Sequence, residues 1–157
     1  MILRLFRRIL PFIWLAVILA GTWWMMSLNS SGGDWTETRA TFPICGTRGA
    51  AGCVIDGDTI AIGKRKIRMS GYNAPELSGE CKVESALALR ARAELATWLS
   101  AAPFEMSGGD DPPYDQYGRE LRSFKRIGAN GKEEWLADHM IGKGLGRNDG
   151  FRDEWCK

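Results

Sequence analysis

The chain has 157 residues, 45% of them hydrophobic and 25% charged, with 19 Gly and 6 Pro. That balance fits one folded domain with an attached segment, and excludes a second full domain, a disordered polar chain and a collagen-like repeat. Three of the 21 Lys and Arg (Arg4, Arg7 and Arg8) fall in residues 1–29, which hold no acid, so the formal net charge of +2 belongs to that segment and the remaining body is slightly acidic. A strongly basic nucleic-acid glove is excluded; any phosphate binding must come from local placement of Arg and Lys.

Ile9 to Leu28 is a run of 20 residues without a charge. As a helix it would span roughly 30 Å, the thickness of a bilayer core. The preceding arginines hold the N-terminus on the cytoplasmic side, and Trp23 and Trp24 suit the outer interface, so the reading is a membrane anchor over 1–28 with the body exported. The alternative is a cleaved signal peptide, whose apolar region is usually about 7 to 15 residues long and followed by a small-x-small site. Residues 29–44 (NSSGGDWTETRATFPI) lack periodicity and read as a linker. The folded domain is expected over 45–157.

Cys45, Cys53, Cys81 and Cys156 form no C-x-x-C pair and the chain has a single His, so zinc is poorly supported. In an exported domain disulfides are expected. Of three possible connectivities, Cys45 with Cys53 and Cys81 with Cys156 is favoured, since the first closes a short loop and the second pins the C-terminus. Cys53–Ile62 and Arg65–Gly71 are rich in β-branched residues and alternate in polarity across Gly63-Lys64, which predicts a hairpin. Val83, Leu87, Ala91, Leu95 and Trp98 repeat at helical spacing and predict a helix over Val83–Ser100. Phe104–Ser107 and Leu121–Ile127 read as strands separated by the turn-rich GGDDPPYDQYG, Gly128–Gly131 as a hairpin turn, and Glu133–Lys143 as a second helix ended by Gly144. The order is that of an α+β domain compatible with a five-stranded OB-fold β-barrel carrying two or three helices.

Asp56-Gly57-Asp58-Thr59 sets two carboxylates around a glycine; by itself this is also a common turn sequence. The loop Gly71-Tyr72-Asn73-Ala74-Pro75-Glu76 follows the next strand and supplies an amide oxygen, backbone carbonyls and a third carboxylate. Arg68 lies between them on the strand face opposite Ile67 and Met69. Arg119 closes the long turn after Tyr117-Gly118. Two arginines, three carboxylates and an amide grouped at strand ends are what phosphodiester hydrolysis needs: a cation, a base for water, and guanidinium clamps on developing negative charge. His139 reads as an ordinary surface or core residue, and Lys64-Arg65-Lys66 as a solvated hairpin tip.

From about Cys53 to Arg147 the chain resembles the thermonuclease, or staphylococcal-nuclease-like, family. The matching pieces are VIDGDTI at 54–60, KIRMSGYNAPE at 66–76, the Ala-rich helix after Glu84, DQYGREL at 115–121 and WLADHMIGKGLGR at 135–147. The flanking cysteines resemble those of exported bacterial members. The resemblance implies an OB-fold barrel that cleaves DNA and RNA with Ca²⁺ and leaves 3′-phosphates. It implies Asp58 as a Ca²⁺ ligand, Asn73 and the Ala74 carbonyl beside it, and Asp56 in the outer shell. Glu76 matches the carboxylate that orients or deprotonates the attacking water, Arg68 and Arg119 the phosphate-binding arginines, and Tyr117 a residue that orders the nucleotide or caps the barrel. Asn73 stands where the family pattern has an Asp, which predicts weaker Ca²⁺ binding. Gln116 replaces a basic residue, and Phe151 and Arg152 stand where base-flanking tyrosines are expected. The expected partners are single-stranded DNA or RNA, with the membrane through the N-terminal helix, and a monomeric state. A catalytically weak OB-fold binding module at the cell envelope is the alternative.

Overall fold

The computed structural model describes residues 14–23, 35–46, 50–149 and 155–156. The chain divides into two compact units, Met1–Gly32 and Gly33–Lys157. Of the first, a helix α1 over residues 14–23 is described. The remainder of the predicted 9–28 span lies outside the described residues, and no described helix is long and apolar enough to cross a membrane.

The second unit is α+β, with eight described strands, β1 (Thr36–Thr38), β2 (Gly52–Asp56), β3 (Thr59–Ile62), β4 (Arg65–Met69), β5 (Phe104–Met106), β6 (Glu120–Arg122), β7 (Phe124–Ile127) and β8 (Glu133–Trp135). Helices α2 (Lys82–Ala101) and α3 (Leu136–Gly142) complete it. The predicted long strand 53–62 breaks at Gly57-Asp58, because the chain reverses there; β2, β3 and β4 form an antiparallel meander. Val54, Ile60 and Ile67 stand opposite one another across these three strands and are fully buried. One extra residue between Val54 and Asp56 shifts the register, a bulge that re-aims the end of β2.

The strands divide into two four-stranded sheets, β2-β3-β4-β6 and β1-β5-β7-β8, and the predicted five-stranded barrel is not closed by ladders. The predicted strand 121–127 is split between them. At Ser123 the chain leaves the first sheet, where β6 runs parallel to β4, and enters the second, where β7 pairs with β5. Ser107 holds this corner: its N–H donates to the Ser123 carbonyl and its Oγ accepts from the Ser123 N–H. A strand that bends from one sheet into another makes a corner rather than a continuous wall. On the opposite side, residues 39–45 lead from β1 to β2. There the Val54 N–H donates to the Pro43 carbonyl and the Cys45 N–H to the Val54 carbonyl, an isolated bridge in place of a ladder.

The second predicted helix begins later than expected. Glu133, Glu134 and Trp135 pair with β7 instead, since the Gly128–Gly131 turn returns the chain in register with Lys125 and Arg126. Thr36–Thr38, placed in the linker by sequence, is paired with β5. The disulfides are Cys45–Cys53 and Cys81–Cys156, the favoured pairing.

Helix α2 buries Ala88, Ala91, Leu95, Trp98 and Leu99. Trp98, Phe42 and Phe124 surround Phe104 with ring centroids 5.6–6.1 Å apart, tilted as aromatic pairs prefer. At the edge of the core Glu120 receives Arg65 and Arg122, both at 2.6–2.7 Å, while Arg122 also donates to the Ser107 and Gly109 carbonyls. Arg65, read from sequence as part of a solvated tip, thus ties β4 to β6.

Arg65, then Arg122, pull the buried Glu120 carboxyl down from 4.5 to about 2. A carboxylate depressed by folding contributes stability that is complete above its unfolded value and lost as pH falls through the folded one. Glu120→Gln is therefore expected to lower the unfolding free energy at neutral pH and to flatten its decline between about pH 4.5 and 2. Urea denaturation across that range checks this; an unchanged acid limb would mean that the ion triad does not hold the corner.

Candidate active site

The site is built where the turn after β2 meets the loop after β4. Gly57 sits at its centre. A Cβ there would lie 2.7 Å from Ala74 Cβ and 2.8 Å from Ala91 Cβ, so the loop and α2 both press on a residue that has no side chain. The small residues Ala88 and Ala91 let the helix come this close. Tyr72, fully buried, donates its hydroxyl to the Gly57 carbonyl at 2.8 Å. Burial, reinforced by the charge of Asp58, raises the Tyr72 pKa far above the ordinary value, so it remains a donor. Gly146 leaves room for its ring, since a Cβ there would meet Tyr72 at 2.7 Å.

Around this pivot the structure gathers most of the predicted residues. Asp58 is 5% exposed; its Oδ2 accepts from Arg68 Nη1 at 2.7 Å and from the Ala74 N–H at 3.4 Å, and its Oδ1 accepts from Thr59 Oγ1 at 2.8 Å. Arg68 also donates through Nη2 to Asn73 Oδ1. Asn73 is held by its backbone as well, in a two-way bridge with Arg147 at 2.7 and 2.9 Å. Ala74, expected to offer a carbonyl, contributes its N–H to Asp58. Asp56 accepts from the Gly57 N–H at 2.7 Å.

Burial raises the pKa of Asp56, and the charge of Asp58 raises it further, against the opposing pull of the Gly57 N–H, Arg92 and a hydrogen bond with Glu76. Glu76 is raised too, by burial first and then by Asp56 and Asp58. Three carboxylates thus crowd one another, and the donors are all oxygens. Hard divalent cations such as Ca²⁺ take such donors, and a cation relieves such crowding, so these residues fit one. Among the described residues no group of three or more His, Cys, Asp or Glu is placed to hold a metal ion by itself, so the Asn73 oxygen and backbone carbonyls would have to complete the set. Asp58 and the Asn73 side chain are at present engaged by Arg68.

Arg119 is not in contact with this cluster. It precedes β6 and shares parity with Leu121, which stands opposite Arg68 in the parallel β4–β6 pair, so both arginines lie on one sheet face. Its Nε donates to Asp115 Oδ2 at 2.6 Å. Burial disfavours the Asp115 charge, but the Arg119 and Tyr117 N–H groups and the Arg119 guanidinium hold its pKa below the usual range. Tyr117 is 73% exposed, with Arg119 over its ring at 5.3 Å, so it does not cap the core.

Glu84 is a positioning residue to which the sequence reading gives no role. It is buried in the first turn of α2, and its carboxylate accepts from the Glu80 N–H at 2.9 Å and the Glu76 N–H at 3.3 Å. A Glu three residues after the N-cap position Cys81 is the signal that could have found it. Asp115, four residues before Arg119, was equally visible. His139 lies between Glu94 (2.8 Å) and Glu134 (3.0 Å), tying α3 to α2 and β8.

No protein-family model and no curated protein matches the chain.

The contact at Gly57 makes a sharp expectation. Gly57→Ala is predicted to destabilise the protein by about 1–3 kcal/mol through overpacking, and Ala91→Gly in the same chain to recover part of that loss. Urea midpoints of the two single variants and the double variant check it; strictly additive losses would show that Gly57 and Ala91 do not share the contact.

Proposed function

We propose that this protein hydrolyses nucleic-acid phosphodiester bonds with the help of Ca²⁺. The observation that carries the reading is the grouping of Asp56, Asp58 and Glu76 with Arg68 and Asn73 around the Gly57 turn, with Arg119 on the same sheet face. The resemblance of five sequence pieces to the thermonuclease family supports the same reading.

Each residue has a task suited to its chemistry. Asp58, the Asn73 amide oxygen and the Ala74 carbonyl would hold the cation, with Asp56 behind them. When bound, Ca²⁺ supplies positive charge to a phosphoryl oxygen and to the water beside it. Arg68 and Arg119 carry planar guanidinium groups that match phosphate oxygens and stay charged at any working pH. Both are engaged with carboxylates of the protein, Asp58 and Asp115. A phosphodiester would take over those donors. Glu76, with a raised pKa, is suited to accept a proton from water, since a base works best when its pKa lies near the operating pH. Glu84 holds the Glu76 backbone, which fixes the height of the loop against α2.

The disulfides support an oxidising compartment, and with the apolar run 9–28 they support an exported, membrane-anchored setting with the domain outside the cytoplasm. A non-catalytic binding module is the second reading. The self-pairing of both arginines favours it, because their guanidinium groups are committed to carboxylates of the protein before any substrate arrives.

Incubation of the full chain with a labelled single-stranded oligonucleotide, in Ca²⁺ or in excess chelator, separates the two. Cleavage in Ca²⁺ and none in chelator is expected. Glu76→Gln is expected to lower turnover by about 10²-fold or more while leaving oligonucleotide binding intact. Asn73→Asp is expected to reduce the Ca²⁺ concentration needed for half-maximal rate. Binding without cleavage under every divalent metal would establish the binding module instead.

A further inference from the structure

One cation beside the site has no partner at a buried nitrogen. Arg92 follows Ala91 on α2, the residue that abuts Gly57, so its side chain leaves the helix beside the turn that carries Asp56 and Asp58. It stands four residues after Ala88 and three before Leu95, both fully buried, which lays its stem along the edge of the core. Its Nε is shut off from water and meets no hydrogen-bond partner. The residue as a whole is only half-buried. A buried guanidinium N–H without an acceptor is costly and rare, so the accessible remainder of this guanidinium gains from an anion beside it.

Asp56 does not supply it. That carboxylate accepts from the Gly57 N–H, and Arg92 acts on it through its charge alone. Arg68 and Arg119 are committed to Asp58 and Asp115. Arg92 is therefore the arginine at this site whose donors a new anion can use without breaking an ion pair. The charges agree. Asp56, Asp58 and Glu76 set against Arg68 and Arg92 leave a single negative charge; a divalent cation would reverse it to a single positive one, which a phosphodiester monoanion cancels.

We infer that Arg92 is a third phosphate-binding arginine of this site, contributing its Nη donors to an oxygen of a nucleic-acid phosphate. The inference rests on the nuclease reading and extends it to a residue to which the resemblance assigns no role. It also gives the first anion contact to a group that need not first release a carboxylate.

The test is oligonucleotide binding by the full chain in Ca²⁺ across a salt series, for wild type, Arg92→Met and Arg92→Lys. Met keeps the stem that packs on the core and removes the charge. Arg92→Met is expected to weaken binding about tenfold and to reduce the slope of log affinity against log salt by about 0.7, the value of one single-strand phosphate contact. Arg92→Lys is expected to keep the slope while recovering part of the affinity. Should the Met chain not fold, Arg92→Gln carries the same comparison. Wild-type affinity and slope in Arg92→Met would overturn this inference and leave the nuclease reading standing. A wild-type chain that binds no oligonucleotide at all would overturn both. A purely structural Arg92 would shift the melting temperature without moving the salt slope, and that outcome also counts against the inference.

Discussion

The architecture turns on the closeness of three backbones at Gly57. A sheet end, a loop and a helix meet there within a methyl group's width, because Ala74 and Ala91 present only a Cβ and Gly57 presents none. Tyr72 adds a hydrogen bond to the same residue, so the turn is fixed by packing on two sides and by a buried donor on a third. Everything with chemistry to offer hangs from this point. Asp56 and Asp58 flank it, Asn73 and Glu76 extend from the loop, and Arg92 leaves the helix beside it. Rigid, close-packed support of this kind is what sets side chains to within fractions of an ångström, as binding a compact ion or anion demands.

The electrostatics are arranged so that the resting site answers its own charges. Arg68 bridges Asp58 and Asn73, and Arg119 is locked to Asp115 through its guanidinium and its backbone N–H. Such pairing keeps half-buried arginines satisfied, and it also makes recruitment of an external anion an exchange of partners rather than a simple addition. The carboxylates, by contrast, are under-compensated. Burial first, and repulsion among these carboxylates second, raises the pKa of Asp56 and Glu76.

The site was more legible in sequence than the fold. DGDT, the loop after it and Arg68 announce themselves by composition and by strand parity, and the turn at Gly57 does bring their side chains together. What escaped detection was non-local. Leu121–Ile127 has an unbroken strand composition, and only the bonds between Ser107 and Ser123 decide that it serves two sheets. Glu133–Trp135 fits a helical pattern; the hairpin before it and the cation–π contact of Lys125 with Trp35 and Trp135 favour the strand. Glu84 and Glu120 are charged yet buried, since groups elsewhere in the chain satisfy them.

The loop from Gly71 to Cys81 takes three of its restraints from the far end of the chain. The Gly71 N–H donates to Asp149, the Asn73 backbone is bridged to Arg147, and Cys81 is bonded to Cys156. Contacts that span more than seventy residues therefore fasten this loop. A chain cut between Gly144 and Arg147 keeps every residue of both sheets and of α2, yet it leaves the loop that carries Asn73 and Glu76 untied on all three counts.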